Sequence, residues 1–210
     1  MGMPEQVERF EETLLQEMER YGLELSPDAL ERLSSYYEFL LAWNNRLHLV
    51  APCLPEEFAR RHVLESLLLV SHLPNGARVA DVGSGGGLPI LPSLIARPDL
   101  TATLIESSQR KAIFLREALN KTATAHLATI VARSFEEITA PAVDFVTCRA
   151  LDRFAQKLSD LIRWAPVNSS LLLFGGEALI DQLQQNDVRF TKLLIPNSEK
   201  RFLLHVVRPV

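Results

Sequence analysis

Four glycines within five residues, Gly83-Ser84-Gly85-Gly86-Gly87, follow directly on the apolar run Arg78-Val79-Ala80-Asp81-Val82 and lead through Leu88 and Pro89 into a second apolar segment. Few backbones accommodate that order. A buried strand must end, the chain must turn through positive φ where a Cβ is costly, and main-chain N–H groups are left open to a ligand. The stretch predicts a strand, a binding loop at its carboxyl end, and a helix.

Beyond the loop, apolar runs suited to buried strands recur at Thr101 to Ile105, Leu127 to Val131, Val143 to Cys148, Leu171 to Phe174, Val188 to Ile195 and Phe202 to Val207. Helical patterns, clearest at Gln109 to Asn120, separate the first five strands. This alternation predicts an α/β fold with a mainly parallel sheet covered on both faces by right-handed crossovers. No long helix separates the last two strands, which predicts an antiparallel hairpin connected through Pro196-Asn197-Ser198. Upstream, Val7, Phe10, Leu14, Met18 and Tyr21 form one stripe of an amphipathic helix that Gly22 ends. A second helix starts at Ser26-Pro27-Asp28, with an N-cap, a first-turn proline and an acid, and runs through Leu30, Leu33, Tyr37, Leu40 and Leu41. A third runs from Pro55-Glu56-Glu57 to about Leu73. The division expected is an N-terminal helical extension at 1–75 and an α/β domain at 76–210.

Composition excludes several classes. The 210 residues can bury roughly 70% of their unfolded surface without staples. Cys53 and Cys148 are too few for a disulfide framework or a four-cysteine zinc site, and the five histidines are scattered, so no metal is expected. No apolar run approaches the roughly 18 residues of a membrane span, and the N-terminus is acidic where a signal peptide would be basic. A cytoplasmic monomer is the expectation. The net charge of −4 hides an asymmetry. Residues 1–75 carry 6 Lys+Arg against 13 Asp+Glu, and residues 76–210 carry 16 against 13, so an anionic partner would meet mainly the second part.

In a doubly wound sheet the ligand crevice lies beyond the carboxyl ends of the strands. Asp81, Gly83 and Gly85 stand at the end of strand one, Glu106 at the end of strand two, Ser134-Phe135-Glu136-Glu137 after strand three, and Arg149 at the end of strand four. Glu106 can accept hydrogen bonds from ribose hydroxyls. A dinucleotide fingerprint wants glycine where Leu88 stands, and no Gly-Lys-Ser/Thr is present for a Walker loop. The combination favours S-adenosylmethionine. Seven strands ending in a hairpin likewise resemble the sheet of the Rossmann-like S-adenosylmethionine-dependent methyltransferases.

Further motifs sharpen this reading. Trp43-Asn44-Asn45, Arg61-His62-Val63-Leu64-Glu65-Ser66, the loop Asp81 to Pro92, Arg110-Lys111-Ala112-Ile113-Phe114-Leu115 and Cys148-Arg149-Ala150 resemble, in order, the motifs of the RsmG (glucose-inhibited division protein B) methyltransferases. The resemblance runs from about Tyr36 to the C-terminus. It implies N7 methylation of one guanine in small-subunit (16S) ribosomal RNA, as naked RNA or in the assembled subunit. The cofactor contacts it implies are Gly83, Leu88, Phe135, Glu136 and Arg149. The chain departs from the usual family pattern at His48-Leu49-Val50, where Asn-Leu-Thr is usual, at Glu65, where Asp is usual, and at Phe174, where Lys is usual. The first and last remove polar or basic groups that could face RNA.

Each residue also has a plainer role open to it. Glu106 could cap a helix beside Ser107, Arg149 could pair with Asp81 or Glu136, and Phe135 could be core. His62 could be an ordinary helix residue. Arg60, Arg61, His62, Arg110 and Lys111 are candidate RNA contacts or parts of a solvated face. Guanine N7 carries a lone pair and no proton, so its alkylation needs orientation rather than a general base. The alternative function is a diverged S-adenosylmethionine-binding protein acting on another nucleic acid or small molecule, or a non-catalytic binding module.

Overall fold

The computed structural model describes residues 2–149 and 154–207, with backbone alone for 154 and 155. Ala150, the end of one motif above, lies outside the described residues. Seven strands, β1 (Arg78–Val82), β2 (Thr101–Ile105), β3 (Ala128–Val131), β4 (Phe145–Cys148), β5 (Ser170–Gly175), β6 (Phe190–Leu194) and β7 (Phe202–Val207), form one sheet in the order β3-β2-β1-β4-β5-β7-β6. The first five are parallel, and β7 runs antiparallel between β5 and β6. The expected hairpin is present. Strand order reverses between β1 and β4, the switch point at which a parallel sheet opens a crevice.

Both faces of the sheet are covered, as near-continuous apolar strands require. Val79, Leu104, Leu172 and Leu203 face one layer, made of α1 (Met3–Glu17), α2 (Pro27–Leu47), a third rod (55–72), α5 (Ile90–Ala96) and α6 (Gln109–Lys121). Ala80, Val82, Val146, Leu171, Leu173 and Leu204 face the other, with α7 (Phe154–Trp164) and α8 (Glu177–Gln185). The N-terminal helices therefore share a core with the sheet. Phe10 stacks on Tyr37 with centroids 4.5 Å apart, and Phe58 closes the cluster at 4.9 Å from Tyr37. Further ties are polar. Arg97 donates to the carbonyls of Val70 and Leu73, and Glu17 accepts from Asn197 of the β6–β7 turn at 3.1 Å.

Local chemistry explains the helix ends. Gly22 stops the first rod at φ 65°, and Ser26 Oγ accepts from the Ala29 amide to cap α2. The third rod differs from the regular helix expected over Pro55 to Leu73. It comprises α3 (Pro55–Phe58), a π-helical stretch (Ala59–Leu64), α4 (Glu65–Leu67) and a 3-10 stretch (Leu68–His72). In the π-helical stretch the carbonyls of Arg61 and His62 accept from the Arg149 guanidinium. A side chain inserted among helix carbonyls is a recognised cause of such irregularity.

Candidate cofactor and substrate site

A cavity of about 540 Å³ opens beyond the carboxyl ends of β1 to β4, within the range usual for small-ligand sites. The glycine loop forms its floor. The amides of Gly83 and Ser84 donate to the Ile105 carbonyl at 2.9 and 3.2 Å, which sews the loop to β2. Gly85 lies at φ 53° and its amide donates to Glu106 Oε2 at 2.8 Å. The other oxygen, Oε1, accepts from the Ser108 amide at 2.8 Å. One carboxylate therefore holds the loop after β1 and the start of α6 together. Gly87, at φ 86°, passes so close to α5 that an added Cβ would lie 3.0 Å from Leu91 Cβ. The Tyr36 hydroxyl, fully buried, donates to the Gly86 carbonyl at 2.5 Å. Burial pushes its pKa up, so it remains a donor.

Beside the loop, with Leu49 against Gly86, stand Leu49, Val50 and Ala51, from the segment after α2. Asn44 fixes that wall through two bonds of 3.0 Å, from Nδ2 to the Val50 carbonyl and from the Val50 amide to Oδ1. His48, where the resembled family has Asn, is the left-handed C-cap of α2 at φ 49°. Asn and His are both among the residues enriched in that conformation, so the exchange preserves a turn.

At the β2 and β3 end the wall is Ser107, Ser108, Lys111, Arg133, Ser134 and Phe135. Lys111 and Arg133 carry no ion pair among the described residues. Phe135 is nearly buried, edge-on to Trp164. It belongs to the core and also lines the cavity.

The β4 end is built around Arg149. Nη1 donates to the His62 carbonyl at 3.1 Å and to Ser66 Oγ at 3.0 Å, and Nη2 donates to the Arg61 carbonyl. Nη2 also lies 3.6 Å from Glu65 Oε2 and 3.3 Å from His62 Nδ1. Glu65, 4% exposed at its side chain, pairs through its other oxygen with Arg201. Burial pushes the Glu65 carboxyl above its usual range and lowers Arg149, with the ion pairs only partly offsetting it. Arg149 thus pairs with Glu65, not with the Asp81 or Glu136 considered as its partners. The Phe174 ring lies under the same guanidinium, 5.9 Å from Arg149 Cζ, so it is buried in the molecule and does not face outward.

Gly83, Gly85, Leu88, Glu106, Phe135, Arg149, His62 and Lys111 therefore line one cavity. Others fall outside it. Asp81 is buried on the Val79 face of β1, beneath the loop. Glu136 turns to Lys157 at 2.6 Å. Arg60 pairs with Glu17 at 3.0 Å and Arg61 with Glu57 at 2.6 Å, while Arg110 is exposed on α6. Sequence reasoning missed the 49–51 wall, Arg133 and Lys157. Asn44 in the last turn of α2, three residues before the helix ends, was the available signal for the wall. No group of three or more potential metal ligands occurs among the described residues.

The family model for GidB, rRNA small subunit methyltransferase G, matches residues 29–206. The ribosomal RNA small subunit methyltransferase G of Chromobacterium violaceum is 35% identical over 143 residues, covering 68% of either chain. That of Xanthomonas campestris is 40% identical over 156 residues, covering 74% of this chain and 69% of the relative. Among solved structures, a SAM-dependent methyltransferase from Aquifex aeolicus superposes with a TM-score of 0.58 at 17% identity, over 73% of this chain and 93% of the other.

Proposed function

Because this chain belongs to the GidB family of small-subunit ribosomal RNA methyltransferases, we propose that it transfers the methyl group of S-adenosylmethionine to N7 of one guanine in 16S ribosomal RNA. The observation that carries the cofactor assignment is the grip of Glu106. With one lone-pair position on each oxygen taken by Gly85 and Ser108, a carboxylate of about four positions keeps others for ribose hydroxyls. The loop beside it is fixed in a shape that a Cβ at Gly87 would disturb. These features suit a nucleoside with its ribose at β2 and its base toward Phe135, Ser134 and Arg133. The amino-acid part would then lie along Gly83 to Gly85, toward β4.

When bound, S-adenosylmethionine supplies an electrophilic methyl group. What the chain supplies is orientation and shelter. Guanine N7 is already a lone pair, so no residue need take a proton from it. The β4 end matches that requirement, since the Glu65 carboxylate is committed to two arginines. Acids near a sulfonium strengthen its binding more than its reaction, because the charge is lost on transfer.

Calorimetric titration of S-adenosylmethionine into the parent, Glu106→Ala and Arg149→Ala tests the site. Each variant is expected to bind at least about tenfold more weakly, the effect of losing a charge-assisted hydrogen bond or the socket it organises. Unchanged affinity in both would sink the assignment. Labelled cofactor incubated with unmethylated small subunits, and with naked RNA alongside, tests the substrate. Label in neither, with cofactor bound, would favour the diverged alternative.

A further inference from the structure

The target base must enter at the β4 end of the cavity if Glu106 holds the ribose at β2. Among the described residues, the polar side chains of the wall there are His62 and Arg149. Nη1 of Arg149 donates to the His62 carbonyl and to Ser66 Oγ, and Nη2 donates to the Arg61 carbonyl with Glu65 as its counter-ion, so the terminal nitrogens of Arg149 are turned to the rod and not to a base. His62 is different. Its ring leans on Phe58, centroids 5.0 Å apart, and its Nδ1 lies 3.3 Å from Arg149 Nη2. A guanidinium has donors and no acceptor, so Nδ1 must be the acceptor and the ring hydrogen must sit on Nε2. Nε2 has no partner among the described residues and is not among the buried unpaired atoms. Burial, with Arg149, Arg61 and Arg201 nearby, lowers the ring's pKa to about 3, so the imidazole is neutral and its tautomer set.

We infer that His62 reads the target base, its Nε2–H donating to O6 of the guanine while N7 faces the methyl donor. The assignment rests on the guanine-N7 reading above. The chemistry of the purine edge favours it. Guanine presents N7 and O6, both acceptors, and adenine presents N7 and an N6 amino donor. N7 must stay free to be alkylated, so position 6 is what separates the two bases on that edge. A donor there welcomes guanine and opposes adenine. A neutral ring also avoids setting a full positive charge against a purine that becomes cationic on N7 methylation. Arg149 acts through His62 here, as the residue that fixes its tautomer.

The test uses the full chain with small subunits reconstituted from RNA carrying guanine or 2,6-diaminopurine at the target position. The second base keeps N7 and the 2-amino group and exchanges O6 for an amino group. The parent enzyme is expected to prefer guanine by roughly tenfold to a hundredfold in kcat/KM, the usual size of such base discrimination. His62→Phe should lose most of that preference, and His62→Gln, which returns an amide N–H, should recover part of it. Calorimetric cofactor binding reads whether each variant still folds. Equal preference in the parent and a cofactor-binding His62→Phe would overturn the inference. If His62→Phe does not fold, the parent alone decides, because a parent indifferent to the two bases overturns it. A parent that leaves guanine unlabelled overturns the N7 reading and this assignment together.

Discussion

Asp81 on β1 is 1% exposed, and neither of its carboxyl oxygens has a hydrogen-bond partner among the described residues. Burial pushes its pKa from 3.8 up to about 8; Ser84 opposes the shift and the Glu106 charge adds to it. Between those values the folded chain retains a proton that the unfolded chain has lost. This contribution to stability is therefore full below about pH 4 and is lost as pH rises toward 8. Asp81→Asn, similar in shape and unable to ionise, is expected to unfold later than the parent at pH 8, by more than about 1 kcal/mol. The difference should shrink toward pH 4, as followed by thermal or urea unfolding, and an advantage that grew on acidification would contradict the account. An acid just ahead of a glycine loop reads in sequence as a ligand contact, but strand alternation puts it on the Val79 face, below the cavity. Glu106 was legible as the acid after strand two. Its second duty, holding Gly85, was not, because it depends on the strands' register, Val82 beside Ile105.

At the scale of elements, the 55–72 rod was visible as a helix from its proline, its acids and its apolar spacing. The π-helical stretch within it was not, since a periodicity argument assumes 3.6 residues per turn throughout. That stretch makes a socket for Arg149, and Glu65 at its end joins the rod to β4 and to the β6–β7 hairpin through Arg201. Glu65→Ala leaves a largely buried arginine without its counter-ion and is expected to cost about 3 to 5 kcal/mol in unfolding experiments. Glu65→Asp keeps the charge with a shorter reach and should cost less. A near-neutral Glu65→Ala would show that the arginines find other partners, and the socket would lose its argument. The strands were the most legible elements. β1, β2 and β7 begin and end where the apolar runs do, because buried strands carry their signal in every residue.

For the molecule as a whole, the charge asymmetry resolves into two populations of basic residues. Arg60 and Arg61 face acids of the N-terminal helices, whereas Arg110 on α6 has no ion pair among the described residues. Arg110→Ala is therefore expected to raise KM for small subunits a fewfold and to lower the salt dependence of binding by about one phosphate contact. Arg60→Ala should instead weaken the fold and leave KM unchanged, and the reverse pattern would put the RNA on the other side of the cavity. Fold and cofactor loop follow from patterning and backbone chemistry. The base being modified rests on ordered motifs such as Arg61 to Ser66, whose geometry only the packed rod reveals. The most direct test is nucleoside analysis of small-subunit RNA after incubation with this protein and labelled S-adenosylmethionine. The account predicts label in 7-methylguanosine at a single position, near one per subunit; label in another nucleoside, or in none while the cofactor binds, would contradict it.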